Sequence, residues 1–331
     1  MLKDDSEVDD REVKLLTRSL PLIVQSGRSK GTVKKYHPAW VKWLDWCKTK
    51  PEVCPRPAEP FYVAIYFNHL LFMSGRKGCI AAAMYGIRWG HHIVGLPSPT
   101  DNPLVQLAFE GSTRLCGGIT EKMEALPVQT LKDLISNYCN EPFNLLNLRF
   151  VVTCLLSFAG FFRIDEVINL KVKQISFFED HLQIFLEKSK TDQQRHGNKV
   201  LIAATGTEYC PVTYVRNFFE LAKLDRVDTP EAYVIPRMYK TKRGHVASKT
   251  KGISYTTIRD IFKERTRALV PENTRYGLHS LRSGGASSAA QNGVTDRLIS
   301  KQGRWASEKG RNGYIQDSVS SRLKVSLSLG L

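Results

Sequence analysis

A polar stretch with two glycines, CGGITEKMEA at residues 116–125, separates two parts of the chain that differ in patterning. Before it, apolar residues recur at helical spacing. After it, helical runs are joined by two short β-like runs, HLQIFLE (181–187) and KVLIAA (199–204). A chain of 331 residues is also long for one hydrophobic core. The stretch is therefore predicted to link two domains, the second beginning near Leu126.

The part before the linker is expected to be an all-helical domain at residues 13–117, behind a disordered acidic tail at residues 1–12. Two proline-rich breaks, CPRPAEP (54–60) and LPSPTDNP (96–103), divide it. Helices are predicted from Glu12 to about Ser26, around Tyr36 to Cys47, from Phe61 to Gly75, from Cys79 to Val94, and briefly after the second break.

The part after the linker, residues 122–331, is expected to be mainly α with a small β-hairpin sheet, an α+β fold. Helices are predicted at 128–139, 145–158, 211–223, 254–268, 280–291 and 295–302. The polar segment KSKTDQQRHGN between the two β-like runs indicates a hairpin with a long basic tip. The final segment, SRLKVSLSLGL, alternates like a strand, with a short helix as the alternative.

The formal net charge of +16 predicts a polyanionic partner, with double-stranded nucleic acid ahead of a membrane surface. Residues 121–331 hold 32 of the 48 basic residues and 21 of the 32 acidic ones. The basic stretch RMYKTKRGHVASKTK (237–251) is interpreted as a surface loop. Candidate phosphate contacts lie on this loop and on the second predicted helix: Lys34, Lys35, Lys242, Arg243 and Lys249. A solvated surface is the alternative for each.

Several classes of protein are disfavoured by the sequence. No apolar run reaches transmembrane length, and the first residues lack the apolar stretch of a signal peptide, so an intracellular protein without a membrane partner is expected. The seven cysteines form no C-x-x-C pair, which fits free thiols rather than a zinc site. Neither a P-loop nor H-E-x-x-H is present, and no cofactor or metal is expected.

The run LHSLRSGGASSAAQNG (278–293) contains a candidate anion site. His279 and Arg282 are three residues apart, on one face at the start of a predicted helix, where the backbone dipole favours an anion. Ser280 is the predicted N-cap, and Gly293 the predicted C-terminal stop. An isolated H-x-x-R is more often an ordinary helix start, so this pair alone does not identify an anion site.

Further candidates accompany that pair. In FAGFFRIDEVINLKV, Glu166 follows Arg163 by one helical turn and is expected to orient it, although a surface ion pair is the plainer interpretation. Lys190 lies on the basic hairpin tip, as does Lys188. Near the end, GRWASEKGRNGYIQDS places Trp305 and Tyr314 nine residues apart, in a polar stretch expected to be a mobile loop.

In order and spacing, these residues resemble the active site of the tyrosine recombinases, the phage-integrase family. The matching residues are Arg163, Lys190, His279, Arg282, Trp305 and Tyr314. Trp305 stands where most members have histidine. The resemblance covers roughly residues 122–318; residues 12–115 resemble the helical core-binding domain of the family only in architecture. HSLRSGGA and GRWASEKGRNGYIQDS look most like eukaryotic members associated with mobile elements, which implies a nuclear location if the host is eukaryotic.

The resemblance implies a site-specific recombinase or integrase that cleaves and rejoins DNA without metal or ATP. Tyr314 would form a 3′-phosphotyrosyl intermediate, with His279 as base and Lys190 as the acid for the leaving oxygen. Arg163 and Arg282 would clamp the phosphate, and the Trp305 N–H would donate one hydrogen bond.

The resemblance also implies a homotetramer on two DNA sites through the C-terminal tail, with packing of the tail on its own chain as the alternative. Two other functions stay open. One is a catalytically idle DNA-binding protein derived from a recombinase, and the other is an enzyme of the type IB topoisomerase kind.

Overall fold

The computed structural model describes residues 10–117, 123–139, 142–187, 197–242, 244–270 and 275–329. The chain forms two units, Met1–Thr120 and Glu121–Leu331. Most of the predicted acidic tail lies outside the described residues, but Arg11 and Glu12 already belong to the first helix. No helix among the described ranges has the length and apolar character needed to cross a membrane.

The first unit is built from five α-helices, which correspond to those expected from the sequence. Their bounds are α1 (Arg11–Ser26), α2 (Lys30–Lys48), α3 (Pro60–Ser74), α4 (Lys77–His92) and α5 (Pro103–Leu115). Trp43 is fully buried at the centre of their core, together with Phe67 and Ile87. Gly75 ends α3 in the left-handed conformation that glycine adopts most readily.

The loop between α2 and α3 is attached to this core by two hydrogen bonds. The Trp43 indole N–H donates to the carbonyl of Pro55 at 3.1 Å. The Ala58 N–H donates to His91 Nε2 at 3.0 Å, and His91 Nδ1 lies 2.8 Å from the carbonyl of Ile87. Nε2 must therefore be unprotonated, and burial lowers the pKa of His91.

The described residues of the second unit form helices and two small antiparallel sheets, which confirms the α+β class and adds a sheet that was not predicted. Its helices are α6 (Val128–Tyr138), α7 (Leu145–Ala159), α8 (Ile164–Asn169), α9 (Pro211–Leu221), α10 (Tyr255–Arg267), α11 (Leu278–Gln291), α12 (Asp296–Gly303), α13 (Glu308–Asn312) and α14 (Val319–Leu327). Its strands are β1 (Ile175–Phe177), β2 (His181–Leu186), β3 (Asn198–Ala203), β4 (Pro236–Thr241) and β5 (Gly244–Gly252).

The predicted hairpin is confirmed as β2 and β3, and β1 adds a third, unpredicted strand in the order β1-β2-β3. Leu182 pairs with Ile202 and Ile184 with Val200, so the buried side chains alternate along both strands. Most of the hairpin tip, including Lys188 and Lys190, lies outside the described residues.

The prediction of a loop at residues 237–251 is wrong. This stretch forms most of the antiparallel pair β4 and β5, in which Tyr239 lies opposite Val246 and Gly244 turns the chain at φ +114°. Most of its side chains are exposed, so the sequence lacks the regular apolar alternation that indicates a strand.

Helix α11 packs closely against the rest of its unit, and it starts earlier than predicted. Ser280 is not its N-cap: Gly277 is, and the Ser280 hydroxyl accepts a hydrogen bond from the Gly277 N–H at 3.0 Å. A side chain at Gly284 would lie 2.1 Å from the carbonyl of Leu126, and one at Gly285 would lie 2.1 Å from that of Phe158. These glycines therefore allow α11 to approach the end of α7.

Two predictions for the C-terminal region are wrong. The stretch between Trp305 and Tyr314 is not a loose loop, because it contains α13, whose start is capped by the Ser307 hydroxyl. The tail after Tyr314 is helical rather than strand-like, with Leu323 and Leu327 of α14 exposed. In both segments, small polar residues weaken the helical signal of the sequence. Gly293, by contrast, follows the α11 C-cap at φ +78°, as predicted.

Candidate active site

Arg282 is fully buried in the first half of α11. Its Nη1 donates to the carbonyl of Phe161 at 2.5 Å, and its Nη2 donates to that of Gly303 at 2.6 Å. The guanidinium therefore joins the turn after α7 to the end of α12. Arg282 is held in place by backbone groups from two separate parts of the sequence.

Arg163 is the N-cap residue of α8, and Glu166 lies in the first turn of that helix. One carboxylate oxygen of Glu166 accepts from Arg163 Nη1 at 3.0 Å, and the other accepts from the Arg163 backbone N–H at 2.9 Å. The two side chains are only 15% and 8% exposed. The pair is thus far more buried than the surface ion pair considered as the plainer interpretation.

Arg304 belongs to the same cluster, although it was not among the predicted site residues. It follows α12 in the left-handed conformation, at φ +56°, with a side chain only 2% exposed. Its Nη2 lies 2.7 Å from Glu166 Oε2, and its Nη1 donates to the carbonyl of Gly160 at 3.2 Å. A helix end with a positive φ usually carries glycine, so an arginine there is unusual. That conformation is visible only in the structure, and no sequence pattern therefore singled out Arg304.

One carboxylate therefore faces three guanidinium groups. Glu166 lies 3.0 Å from Arg163, 2.7 Å from Arg304 and 3.9 Å from Arg282. Burial, together with the charges of Arg163 and Arg304, lowers the pKa of Arg282 to about 9. An arginine with that pKa is still charged at neutral pH. The cluster thus has an excess of positive charge, which favours an anion beside it.

Trp305 and Tyr314 lie directly against Arg282. The carbon of the Arg282 guanidinium is 4.7 Å from the Trp305 ring centroid and 4.8 Å from that of Tyr314. The two rings are 5.2 Å apart. The Trp305 indole N–H is buried, and no residue in the described part of the chain accepts a hydrogen bond from it. Because a buried donor without an acceptor is unfavourable, an added acceptor at this position would be stabilised.

The backbone around Tyr314 is attached to its own unit. The Tyr314 N–H donates to the carbonyl of Arg311 at 2.9 Å. Two residues later, the Gln316 N–H donates to the Ser287 hydroxyl of α11 at 2.8 Å, and the Gln316 side chain accepts from the Ala125 N–H at 2.8 Å. These bonds hold the half-buried Tyr314 against the arginines of the same chain.

The structure thus brings together four of the six predicted site residues: Arg163, Arg282, Trp305 and Tyr314. His279 is exposed near the start of α11, one turn before Arg282. Lys190 lies outside the described residues, so its prediction stays open.

The candidate DNA contacts have different surroundings. Lys34 and Lys35 are exposed on α2, and Lys242 is exposed at the β4–β5 turn. Arg243 lies outside the described residues. The ammonium of Lys249 donates to the backbone carbonyl of Lys223 and lies 3.4 Å from that of Ala222, at the end of α9. Lys249 therefore stabilises a helix end in this structure.

Comparisons with known proteins agree with this geometry. Residues 124–320 match the model of the Phage integrase family, and the chain belongs to that family. Its members, the tyrosine recombinases, are enzymes that cleave and rejoin DNA strands. An integrase/recombinase XerD homolog from Selenomonas ruminantium is 26% identical over 297 residues, which cover 88% of this chain and 83% of that protein.

Two solved structures share the fold. A lambda integrase dimer bound to a COC′ core site aligns with a TM-score of 0.56 at 13% identity, over 92% of this chain and 95% of that one. A lambda integrase tetramer bound to a Holliday junction aligns with a TM-score of 0.55 at 13% identity, over 91% and 76% of the two chains.

Proposed function

We propose that this protein is a site-specific DNA recombinase or integrase that cleaves DNA through a 3′-phosphotyrosyl intermediate on Tyr314. The observation that carries the proposal is the position of the Tyr314 ring, 4.8 Å from the guanidinium of the buried Arg282. A nucleophile beside an excess of fixed positive charge suits attack on a phosphodiester, where negative charge increases in the transition state.

The reaction assigned to the site is a balanced transesterification. The Tyr314 oxygen attacks the phosphorus, and the hydroxyl proton passes to His279 as the base. The bond from phosphorus to the 5′ oxygen breaks, and Lys190 protonates that oxygen. Arg163, Arg282 and the Trp305 N–H stabilise the non-bridging oxygens. Rejoining is the reverse reaction and needs neither ATP nor a metal, because the ester bond is conserved.

The first unit would act as a core-binding DNA-binding domain over residues 13–117, and residues 122–331 as the catalytic domain. The exposed Lys34 and Lys35 on α2, and Lys242 on the hairpin, would contact phosphates, which positions the duplex without reading bases. Replacing Lys242 and Arg243 by alanine should then make binding less dependent on salt concentration. An unchanged dependence would contradict this part of the proposal.

Assembly through the C-terminal tail belongs to the same proposal. A cavity of about 910 Å³, lined largely by apolar side chains such as Phe161, Leu298 and Ile299, lies beside α12. Val319, Leu323 and Leu327 of α14 are exposed at helical spacing. We propose that α14 of one subunit fills this cavity in the next, within a homotetramer on two DNA sites. Deleting residues 319–331 should abolish pairing of the DNA sites and leave DNA binding intact; retained pairing would favour packing within the chain.

The motifs HSLRSGGA and GRWASEKGRNGYIQDS support a further assignment to eukaryotic mobile elements, with action in the nucleus. Sequencing the DNA that becomes covalently bound to the protein in cells would test it. Recovery of ends of a repeated genomic element is the expected result. Recovery of DNA without such ends would contradict the assignment.

The central test uses a pool of nicked duplexes of randomised sequence, from which covalent protein–DNA adducts are isolated under denaturing conditions. The wild-type protein should form adducts, and Tyr314→Phe should form none. Tyr209→Phe is the matched control, because its hydroxyl lies 3.4 Å from that of Ser136 and takes no part in the site. Adducts with Tyr314→Phe would refute the nucleophile, and their absence from the wild type would favour the catalytically idle alternative.

Two further assays on the selected duplex separate recombination from topoisomerase activity. The proposal predicts strand exchange between two copies of the duplex. Relaxation of supercoiled DNA without exchange would favour the type IB topoisomerase alternative.

A further inference from the structure

Arg304 shares the Glu166 carboxylate with the two arginines assigned to the phosphate, and it donates hydrogen bonds to four protein oxygens. Its Nη2 contacts Glu166 Oε2 at 2.7 Å and the carbonyl of Phe161 at 3.1 Å. Its Nη1 contacts the carbonyls of Gly160 and Gln302 at 3.2 and 2.9 Å. The guanidinium also lies 4.8 Å from the ring of Phe162. Arg304 is therefore part of the support beneath the site.

Arg304 and Arg282 share the Phe161 carbonyl as an acceptor, and both lie near the Glu166 carboxylate. The carbonyl of Phe161 accepts from Arg282 at 2.5 Å and from Arg304 at 3.1 Å. Glu166 Oε2 is 2.7 Å from Arg304 but 3.9 Å from Arg282. If Arg304 were absent, Glu166 Oε2 would lose its closest cation, and Arg282 would be the nearest remaining guanidinium on that side. A direct ion pair between Glu166 and Arg282 would neutralise positive charge that is proposed to stabilise the phosphate.

The conformation of Arg304 argues against an incidental packing contact. A left-handed conformation is unfavourable for a residue other than glycine, and burying a guanidinium adds a desolvation penalty. Glycine at this position would avoid both. The presence of arginine at this position is therefore explained best by the hydrogen bonds that the planar guanidinium donates.

We propose that Arg304 is a positioning residue that occupies Glu166 and the Phe161 carbonyl, and thereby keeps the charge of Arg282 directed at the scissile phosphate. This inference rests on the proposed function, and it assigns Arg304 a role that acts through Glu166, the Phe161 carbonyl and Arg282. Loss of Arg304 should slow cleavage while DNA affinity stays nearly constant.

The test is a double-mutant cycle between Arg304→Lys and Glu166→Gln, using single-turnover adduct formation at saturating protein on the duplex selected above. Lysine keeps the charge but lacks the planar fork, so Arg304→Lys should slow adduct formation roughly 10²-fold, with binding changed less than about threefold. In the Glu166→Gln background, Arg304→Lys should slow adduct formation less than about tenfold, because the carboxylate that Arg304 occupies is absent.

Two controls separate positioning from simple loss of stability. Arg304→Gly suits the left-handed backbone, and added guanidinium ion should partly restore its cleavage rate. Arg149→Lys alters another buried arginine, which donates to the carbonyl of Pro236, and should leave the rate unchanged. Equal effects of Arg304→Lys in both backgrounds, or a rate within twofold of wild type, would overturn the inference.

A readout without cleavage keeps this inference distinguishable from the proposed function. Inorganic phosphate should raise the melting temperature of the wild-type protein by binding beside Arg282, and Arg304→Lys should remove that shift. If the wild type forms no adduct but shows the shift, the proposed function fails and the positioning of Arg282 stands. If phosphate shifts both proteins equally, the positioning inference fails.

Discussion

Two groups of buried or half-buried arginines in the second unit differ in what surrounds them: Arg149 with Arg265, and Arg163 with Arg282 and Arg304. Arg149 donates to the carbonyl of Pro236 at 3.0 Å, while Arg265 lies between the rings of Tyr138 and Phe150, 4.4 and 4.5 Å from their centroids. Neither makes an ion pair within the described part of the chain. These two arginines connect α7 and α10 to their neighbours, as structural residues do.

The cluster of Arg163, Arg282 and Arg304 differs in two respects. It surrounds a carboxylate, and it keeps positive charge that the carboxylate does not balance. Glu166 fixes all three guanidinium groups, yet one negative charge cannot balance them. Beside them lie the Tyr314 ring and a buried indole N–H without an acceptor. Burial alone therefore does not identify a functional arginine. The uncompensated charge and the unsatisfied donor beside the proposed nucleophile distinguish this cluster from the other arginines.

The largest effect is expected for Arg282→Lys. Its ammonium cannot donate to Phe161 and Gly303 and also face the Tyr314 ring as the guanidinium does. Adduct formation should fall about 10³-fold, similar to the loss of a strong transition-state donor. Single-turnover kinetics on the selected duplex would measure it. A rate within tenfold of wild type would place Arg282 with the structural arginines.

Arg149→Lys should produce the opposite pattern. A shorter, differently shaped cation would contact the Pro236 carbonyl poorly, so the free energy of unfolding should fall by about 1–3 kcal/mol. Urea denaturation would measure that change. The rate of cleavage by the folded protein should be unaffected. A loss of rate as large as that of Arg282→Lys would show that the two groups of arginines do not differ in function.

A smaller effect is expected for Trp305→Phe. Phenylalanine keeps an aromatic ring beside Tyr314 and Arg282 but removes the unpartnered indole N–H. Cleavage should slow roughly tenfold, as expected for the loss of one hydrogen bond of about 1.4 kcal/mol. Folding stability should rise or stay constant, since a buried unsatisfied donor is removed. Loss of stability without loss of rate would show that the N–H does not serve the reaction.

The smallest effect concerns His91, a buried base in the first unit. Its pKa is lower in the folded state than in the unfolded state, so the unfolded chain binds more protons as the pH falls. The free energy of unfolding should therefore be constant well above pH 6.5 and decrease below it, by at most about 1.4 kcal/mol per pH unit. Denaturation at pH 7.5 and 5.5, compared with His91→Gln, would measure this. An identical slope in the variant would exclude His91 as the cause.

Sequence patterns predicted the strongly amphipathic elements and failed where the structure depends on surroundings. The helices around Trp43 and the hairpin of β2 and β3 have regular apolar spacing, and both were found. The exposed pair β4 and β5 and the small-residue helix α13 lack such spacing, and both were missed. The N-cap of α11 was misplaced by three residues, since Ser280 acts from inside the helix.

The order and spacing of Arg163, Arg282, Trp305 and Tyr314 were readable from the sequence because they lie in short motifs with local signals. The positive net charge was equally accessible, since it needs only a count. The tertiary structure alone decided that Glu166 is shared among three arginines, that Arg304 is one of them, and that Tyr314 lies on the arginines of its own chain. These contacts join residues up to 138 positions apart, and such contacts depend on how α7, α11 and α12 pack rather than on local propensity.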